Sequence, residues 1–170
     1  MITLRSQIIN KPVWLVDSES YIGKVADIVF TKDLLLAGLI LDSFLPIFIP
    51  PKAILANDII SFDRDNIFIN DESQVAKIND LPALTSLISQ QLLGTGQLVI
   101  TESGQKVGSI YDFAVDTETS AIKSLYLRSL WNERIIPADL IVEIHKKVFK
   151  IENELSDIKV EDLSPEPSNQ

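Results

Sequence analysis

Short apolar runs alternate with polar turns along most of the chain, and this pattern is typical of β-strands. In the first half, the predicted strands cover residues 13–16, 22–28, 34–41, 47–49 and 67–69. In the second half, they cover residues 98–101, 107–115, 122–127, 133–136 and 148–151. A unit of this many short strands is the size of a small closed barrel, in which closure removes exposed strand edges.

A short motif occurs once in each half. Gly23 and Asp27 return as Gly108 and Asp112, at an offset of 85 residues. The glycine follows a polar turn, where we expect a β-bulge or a positive φ. The aspartate lies late in its strand, where its carboxylate can accept hydrogen bonds from backbone N–H groups of a neighbouring turn. Metal binding or proton transfer by the two aspartates is the alternative hypothesis.

A second echo follows each motif. Ile49-Pro50, shortly before Ala53-Ile54, is repeated as Ile136-Pro137 before Leu140-Ile141. The offset between the two prolines is 87 residues, which we interpret as two inserted loop residues. We therefore predict that Pro50 and Pro137 are equivalent positions of a duplicated fold.

One segment between the halves has helical periodicity instead. Its apolar residues are Leu81, Leu84, Leu87, Ile88 and Leu92. We predict a mainly β protein in which two tandem small β-barrels are joined by this short helical linker; docking of a partner by the helix is the alternative. The predicted divisions are a first barrel at 1–78, the linker at 79–90, a second barrel at 91–155 and an acidic, disordered tail at 156–170.

Charge and cysteine content exclude several functions. The net charge is −9 and no segment is strongly basic, so the sequence favours neither a DNA nor an RNA partner. There is no cysteine, which excludes disulfides, thiolate catalysis and thiolate metal sites. This composition is compatible with the reducing cytoplasm, where we expect the protein to lie, with peripheral contact to a membrane as a second hypothesis.

An apolar stretch at residues 34–51 is near the length that spans a bilayer, since only Asp42 and Ser43 are polar there. A charge in the middle of a span is expensive, and Pro46 and the Pro50-Pro51 pair interrupt a helix. We therefore expect no transmembrane span, and interpret the stretch as apolar hairpin surface.

Residues that could carry chemistry are few. His145 is the only histidine, and the chain has none of the common nucleophile, phosphate-loop or zinc motifs. We expect no catalytic residue, no cofactor and no bound metal, and keep an enzyme that depends on His145 as a minor hypothesis.

The turn between the third and fourth strands of each half is apolar. The exposed candidates in these turns are Phe44, Leu45, Ile47, Phe48, Leu130 and Trp131. Such residues either complete the core or anchor a partner, because buried aromatics dominate interface energies. The two turns differ in sequence while the glycine and aspartate motifs agree, so we predict that a protein-interaction site lies in the turns.

The run from Gly23 to Ile28, with Ile49-Pro50 after the next strand, resembles the PRC-barrel family. The run from Gly108 to Phe113, with Ile136-Pro137, resembles it again, and together the likeness covers about 140 of the 170 residues. The family comprises the barrel of the photosynthetic reaction-centre H subunit and that of the ribosome maturation factor RimM. The resemblance implies small barrels that bind other proteins and lack catalytic residues.

Two functions follow from this resemblance. The leading hypothesis is a non-enzymatic adaptor of two PRC barrels that binds protein partners, associated with a photosynthetic or other membrane-bound complex. The alternative is an assembly factor for ribosomes or RNA processing, which the acidic charge does not favour.

Overall fold

The computed structural model describes residues 1–42, 50–90, 93–130, 132–145 and 148–153. The chain opens with strand β1 (Ile2–Leu4) and a single helical turn, α1 (Arg5–Ile8). The strands of the first sheet are β2 (Pro12–Leu15), β3 (Tyr21–Phe30), β4 (Leu36–Leu41), β5 (Lys52–Leu55), β6 (Ile59–Phe62), β7 (Ile67–Ile69) and β8 (Val75–Lys77). The prediction of a mainly β protein is confirmed.

Helix α2 (Pro82–Gln90) connects the first sheet to the second. The second sheet contains β9 (Leu98–Thr101), β10 (Lys106–Asp116), β11 (Ala121–Arg128), β12 (Glu133–Pro137), β13 (Ile141–His145) and β14 (Val148–Ile151). Among the residues described, no helix is both long and apolar enough to traverse a bilayer.

The two sheets share the order of six strands, while β8 of the first sheet and β1 of the second have no counterpart. The first runs β6-β7-β2-β3-β4-β5-β8, and the second runs β13-β14-β9-β10-β11-β12. Each sheet contains one parallel pair at equivalent positions, β2 with β7 and β9 with β14. All other strand pairs are antiparallel. The repeated sequence therefore corresponds to a repeated topology.

The long strands share their irregularities as well. The β3–β4 pairing shifts register between Val25 and Asp27, and the β10–β11 pairing shifts between Ile110 and Asp112. Each bulge thus sits next to the repeated aspartate. The pairings that involve Gly23 and Gly108 also contain a shift close to the glycine, and neither glycine has a positive φ. Of the two expectations for these glycines, a β-bulge or a positive φ, the structure confirms the β-bulge.

The prediction that Pro50 and Pro137 are equivalent positions is wrong. Leu39 pairs with Ile54 in the first sheet, and the equivalent Leu125 pairs with Ile136 in the second. Ile136 is therefore equivalent to Ile54, at an offset of 82 residues and not 87. Pro137 ends β12, whereas Pro50 lies before β5 begins. The two Ile-Pro dipeptides suggested the wrong equivalence, because the register of strands is set by cross-strand pairing and not by local sequence identity.

The remaining strand predictions agree with the structure to different degrees. The strands predicted at 98–101 and 148–151 are found at those residues. A turn at residues 63–66, closed by a bond from Asp63 N to Asn66 O of 2.8 Å, joins β6 to β7. The predicted strand at 47–49 lies outside the described residues. Strands β1, β5, β6, β8 and β13 were not predicted, because each is only three to five residues long and offers little apolar pattern.

Helix α2 packs on the first sheet. Its Leu84 is buried and forms a small cluster with Val29 and Ala53. Gly38 on β4 makes this packing possible, because a Cβ there would lie 2.5 Å from the carbonyl oxygen of Ile54 and 3.2 Å from Leu84 Cδ1. The helix predicted over this segment is present, with its buried side chain directed at one sheet.

The two halves meet through equivalent hairpin turns. Leu36 N donates to Ser120 O at 2.6 Å, and Ile122 N donates to Leu34 O at 2.9 Å, on either side of a bridge between Leu35 and Ala121. The pair of bonds is reciprocal, so the contact has local two-fold character.

Aromatic packing continues this contact into the interior. The rings of Phe30 and Phe113 meet edge to face with centroids 5.3 Å apart. Buried residues of both sheets belong to one apolar cluster, so the halves share a core.

Candidate protein-interaction site

A tight turn after β11 exposes one of the predicted contact residues. Ser129 N donates to Asn132 O at 2.9 Å, and the Ser129 hydroxyl donates to the same oxygen at 3.2 Å. The turn leaves Leu130 92% exposed. A leucine this exposed does not complete the core, so the first of its two predicted roles is wrong, and its contact with a partner stays a prediction.

A fixed arginine stands beside this turn. Arg128 donates to Glu133 Oε1 through Nε at 3.0 Å and Nη2 at 2.8 Å, across the β11–β12 pair. Its guanidinium also lies over the ring of Tyr111, 4.7 Å from the centroid. Two charged hydrogen bonds and a cation–π contact favour this orientation of the side chain, although Arg128 and Glu133 are 63% and 50% exposed.

Tyr111 is held from a second side by Tyr126, whose ring lies edge to face at 6.1 Å between centroids. The Tyr111 hydroxyl donates to Glu133 Oε2 at 3.4 Å. Desolvation is the main cause of a raised pKa for Tyr111, and Glu133 raises this pKa further. The tyrosine therefore stays neutral at physiological pH and presents an aromatic face and a hydroxyl.

These side chains border an open cavity of about 1020 Å³. Its walls include Val107, Ile110, Tyr111, Arg128, Leu130 and Asn132. Aromatic and arginine side chains next to an exposed aliphatic residue are the composition of protein interfaces, in which such residues carry much of the binding energy.

The structure does not describe the other predicted contact residues. Phe44, Leu45, Ile47 and Phe48 lie outside the described residues, and so does Trp131. The apolar turn of the first half is therefore still a prediction from sequence. The structure supplies Arg128, Tyr111 and Glu133, which sequence reasoning missed. Arg128 and Glu133 flank the predicted turn, and opposite charges at the two ends of a hairpin were the available signal.

Both repeated aspartates accept hydrogen bonds from the helical turn α1. Asp112 Oδ1 accepts from Ser6 N at 3.2 Å and its Oδ2 accepts from the Ser6 hydroxyl at 2.5 Å. Asp27 Oδ1 accepts from Arg5 Nη2 at 3.0 Å. Each aspartate also accepts from the N–H of the residue after it, Ile28 or Phe113, at 2.9 Å. These bonds give both carboxylates a role in holding the backbone.

His145 is on the surface, 58% exposed, with Nε2 2.5 Å from Glu143 Oε1. Lys150 Nζ donates to Glu143 Oε2 at 2.8 Å. The hydrogen bond from Lys150 is the first cause of a lowered pKa for Glu143, and His145 lowers this pKa further. Across the part of the chain that the structure describes, no three acidic or histidine side chains converge in a way that could hold a metal ion.

Comparison with known proteins bears on the second half. Residues 95–156 match the family model of the PRC-barrel domain. No curated protein matches the chain in sequence. The matched segment contains β9 to β14, the Gly108 and Asp112 motif, and the turn that carries Leu130. The resemblance inferred from the sequence is confirmed for the second half, where residues 95–156 form a PRC-barrel domain.

Proposed function

We propose that this protein is a non-enzymatic adaptor whose PRC-barrel domain binds a protein partner through the turn at Leu130. PRC-barrel domains are often interaction modules, and this supports a role in binding or assembly. The single observation that carries the proposal is the 92% exposure of Leu130 beside the ordered Arg128 and Tyr111 pair.

The chemistry of the cavity favours a partner with an apolar anchor and an acidic or carbonyl group. An apolar side chain of the partner would cover Leu130 and the aliphatic wall of the cavity, which removes exposed apolar surface from water. Arg128 has donors beyond those that bind Glu133, and the guanidinium is well suited to a carboxylate. The pair with Glu133 orients these donors before binding, which lowers the entropic cost of association.

The first sheet is part of the same proposal. Its strand order and its bulge beside Asp27 are those of the matched domain, which supports a second PRC-like barrel and thus a tandem arrangement. Two binding modules in one chain raise avidity when both are engaged. An adaptor of this kind fits a cytoplasmic protein that docks onto a larger complex, including one at a photosynthetic or other membrane. The net charge of −9 favours a protein partner over a nucleic acid.

Affinity purification of the tagged chain from native cells tests the proposal. We expect Leu130→Asp to lose the recovered partner, because a charge replaces the apolar anchor. Val142→Asp is the matched control, since Val142 is also exposed, at 52%, and lies on β13 outside this cavity. The control should recover the partner at the wild-type level, and circular dichroism should show both variants folded.

Two outcomes contradict the proposal. If folded Leu130→Asp retains every partner of the wild-type chain, the turn is not the contact site. If the recovered proteins are ribosomal precursors in both variants, an assembly role through another surface replaces the adaptor hypothesis.

A further inference from the structure

The equivalent strands β3 and β10 differ at one edge. The last part of β10 pairs with β1, with Ile2 opposite Asp116, Thr3 opposite Val115 and Leu4 opposite Ala114. The equivalent part of β3 pairs with β4 on one side, and no described strand pairs with it on the other. The register shifts identify Phe30 as the equivalent of Val115.

The backbone of Phe30 points to this open edge. Thr31 N donates to Leu35 O at 2.8 Å, so the next pair of the hairpin, Phe30 with Leu36, is of the type that exchanges no backbone bonds. Leu36 N accordingly turns outward and donates to Ser120 O. The Phe30 N–H and C=O therefore point away from β4. No bond to either group is found among the described residues.

A cavity of about 530 Å³ borders this edge. Its floor includes Asp27 to Phe30, and its opposite wall includes Leu87 and Ile88 of α2 and the stretch from Leu93 to Gln97. This volume lies within the roughly 300–1,000 Å³ of ligand-binding clefts. On the floor, the Phe30 N–H and C=O have no bond to another described residue, and the wall carries leucine and isoleucine side chains. These groups suit an extended peptide, whose backbone pairs while its alternate side chains pack.

The chain itself shows what such a segment looks like when bound. On β10, residues 2–4 form the added strand and the helical turn that follows places Ser6 on Asp112. Asp27 is the equivalent acceptor beside the open edge, and it is 55% exposed. Its present partner is Arg5, and exposed ion pairs of this kind contribute about 0–1 kcal/mol, so a serine donor can replace it.

We propose that the free edge of β3 binds an extended segment of a partner protein by strand addition. The segment has an apolar–polar–apolar triplet, whose middle residue pairs with Phe30, followed by a turn whose serine binds Asp27. Strand addition of this type takes affinity from backbone bonds and specificity from side-chain pockets. The cavity at this edge shares Thr95 and Gly96 with the cavity around Leu130, but Asp27 to Phe30 line only the first, so the proposal does not depend on the proposed function.

A synthetic peptide with the sequence of residues 2–8, acetylated and amidated, is the probe. The full chain labelled with ¹⁵N is titrated with it and followed by NMR, with calorimetry for affinity. We expect saturable binding in the micromolar to low millimolar range, with shifts at the amides of Phe30 and Ile88. The amide of Val115 should stay in place.

Two controls isolate the backbone pairing and the cavity. A peptide N-methylated at its threonine lacks the donor that faces Phe30, and should bind at least about tenfold more weakly. Gly94 borders the cavity and a Cβ there meets nothing within 4 Å, so Gly94→Ala should bind as the wild type does, while Gly94→Trp should fill the space and abolish binding. Leu130→Asp should bind the peptide normally.

Three results would overturn the proposal. The first is the absence of shifts at Phe30 at millimolar peptide. The second is equal binding of the N-methylated peptide, since a cavity that accepts any apolar ligand would not discriminate against it. The third is movement of Val115 without Phe30, which would mean that the peptide displaces β1 from β10.

Discussion

Two aspartates that occupy the same position of the repeat have different surroundings. Asp112 is 6% exposed and accepts three hydrogen bonds, two of them from Ser6. Asp27 is 55% exposed and accepts from Arg5 and Ile28. Removal of Asp112 leaves part-buried donors without a partner, whereas water replaces Asp27.

We therefore expect Asp112→Ala to lower the free energy of unfolding by about 1–3 kcal/mol and Asp27→Ala by less than about 1 kcal/mol. Urea unfolding of the two variants measures the difference. Equal losses would show that the environment of Asp112 is not the source of its contribution.

The carboxylate of Asp71 predicts a pH dependence. Its Oδ1 accepts from Ser73 N at 2.7 Å, and this bond, followed by that of the Ser73 side chain, lowers the pKa of Asp71 below 3.8. The folded state thus binds fewer protons than the unfolded state between the two pKa values. The stabilisation is complete above the unfolded pKa and is lost as pH falls through the folded pKa.

Asp71→Asn removes this titration and keeps an acceptor at the same place. Thermal unfolding between about pH 5 and pH 2 should therefore show a shallower fall of Tm for the variant than for the wild type. Parallel curves for the two proteins would contradict the assignment.

At the scale of elements, close approach of strands explains where glycine is required. A Cβ at Gly38 would meet Ile54 O at 2.5 Å, one at Gly108 would meet Arg128 O at 3.0 Å, and one at Gly23 would meet the flexible Asp42 side chain at 3.3 Å. We expect the loss of stability on substitution by alanine to decrease in that order, from about 1–3 kcal/mol at Gly38.

Chemical denaturation of the three alanine variants tests the order, with Gly94→Ala as the control in open space. A Gly38→Ala protein as stable as this control would mean that β4 and β5 can separate without loss.

The sequence was informative about strands and much less so about their partners. The short apolar runs at 98–101 and 148–151 located β9 and β14. The pairing of Ile54 with Leu39, which corrected the repeat, depends on residues far apart in the chain. Strand β1 could not be placed on β10 from sequence for the same reason, because no local pattern records that its partner lies more than 100 residues away.

The candidate site was predicted in part. Leu130 was singled out because apolar residues at a turn between strands are conspicuous. Arg128 and Tyr111 were not, because their contact crosses from β11 to β10 and combines two residues that look like ordinary strand surface.

At the scale of the whole molecule, the two halves are joined by a shared core and by the chain crossing between them. The segment from β1 to β2 begins on the second sheet and ends on the first, and Phe30 packs against Phe113 across the contact. Neither sheet keeps its full set of buried neighbours when the other unfolds. We therefore expect cooperative unfolding of both halves in one transition, in contrast to independent domains on a flexible linker.

Two tryptophans report on the halves separately. Trp14 belongs to β2, and Trp131 lies in the second half of the sequence. Urea unfolding of Trp131→Phe and Trp14→Phe, each followed by the remaining fluorophore and by circular dichroism, should give coincident curves within each variant. Phe30→Ala, introduced into either background, should lower the midpoints of both probes together, by an amount that corresponds to about 3–5 kcal/mol, because the ring lies in the core that the halves share. If this substitution moves the Trp14 transition and leaves the Trp131 transition in place, the halves unfold independently and the interface contributes little to either.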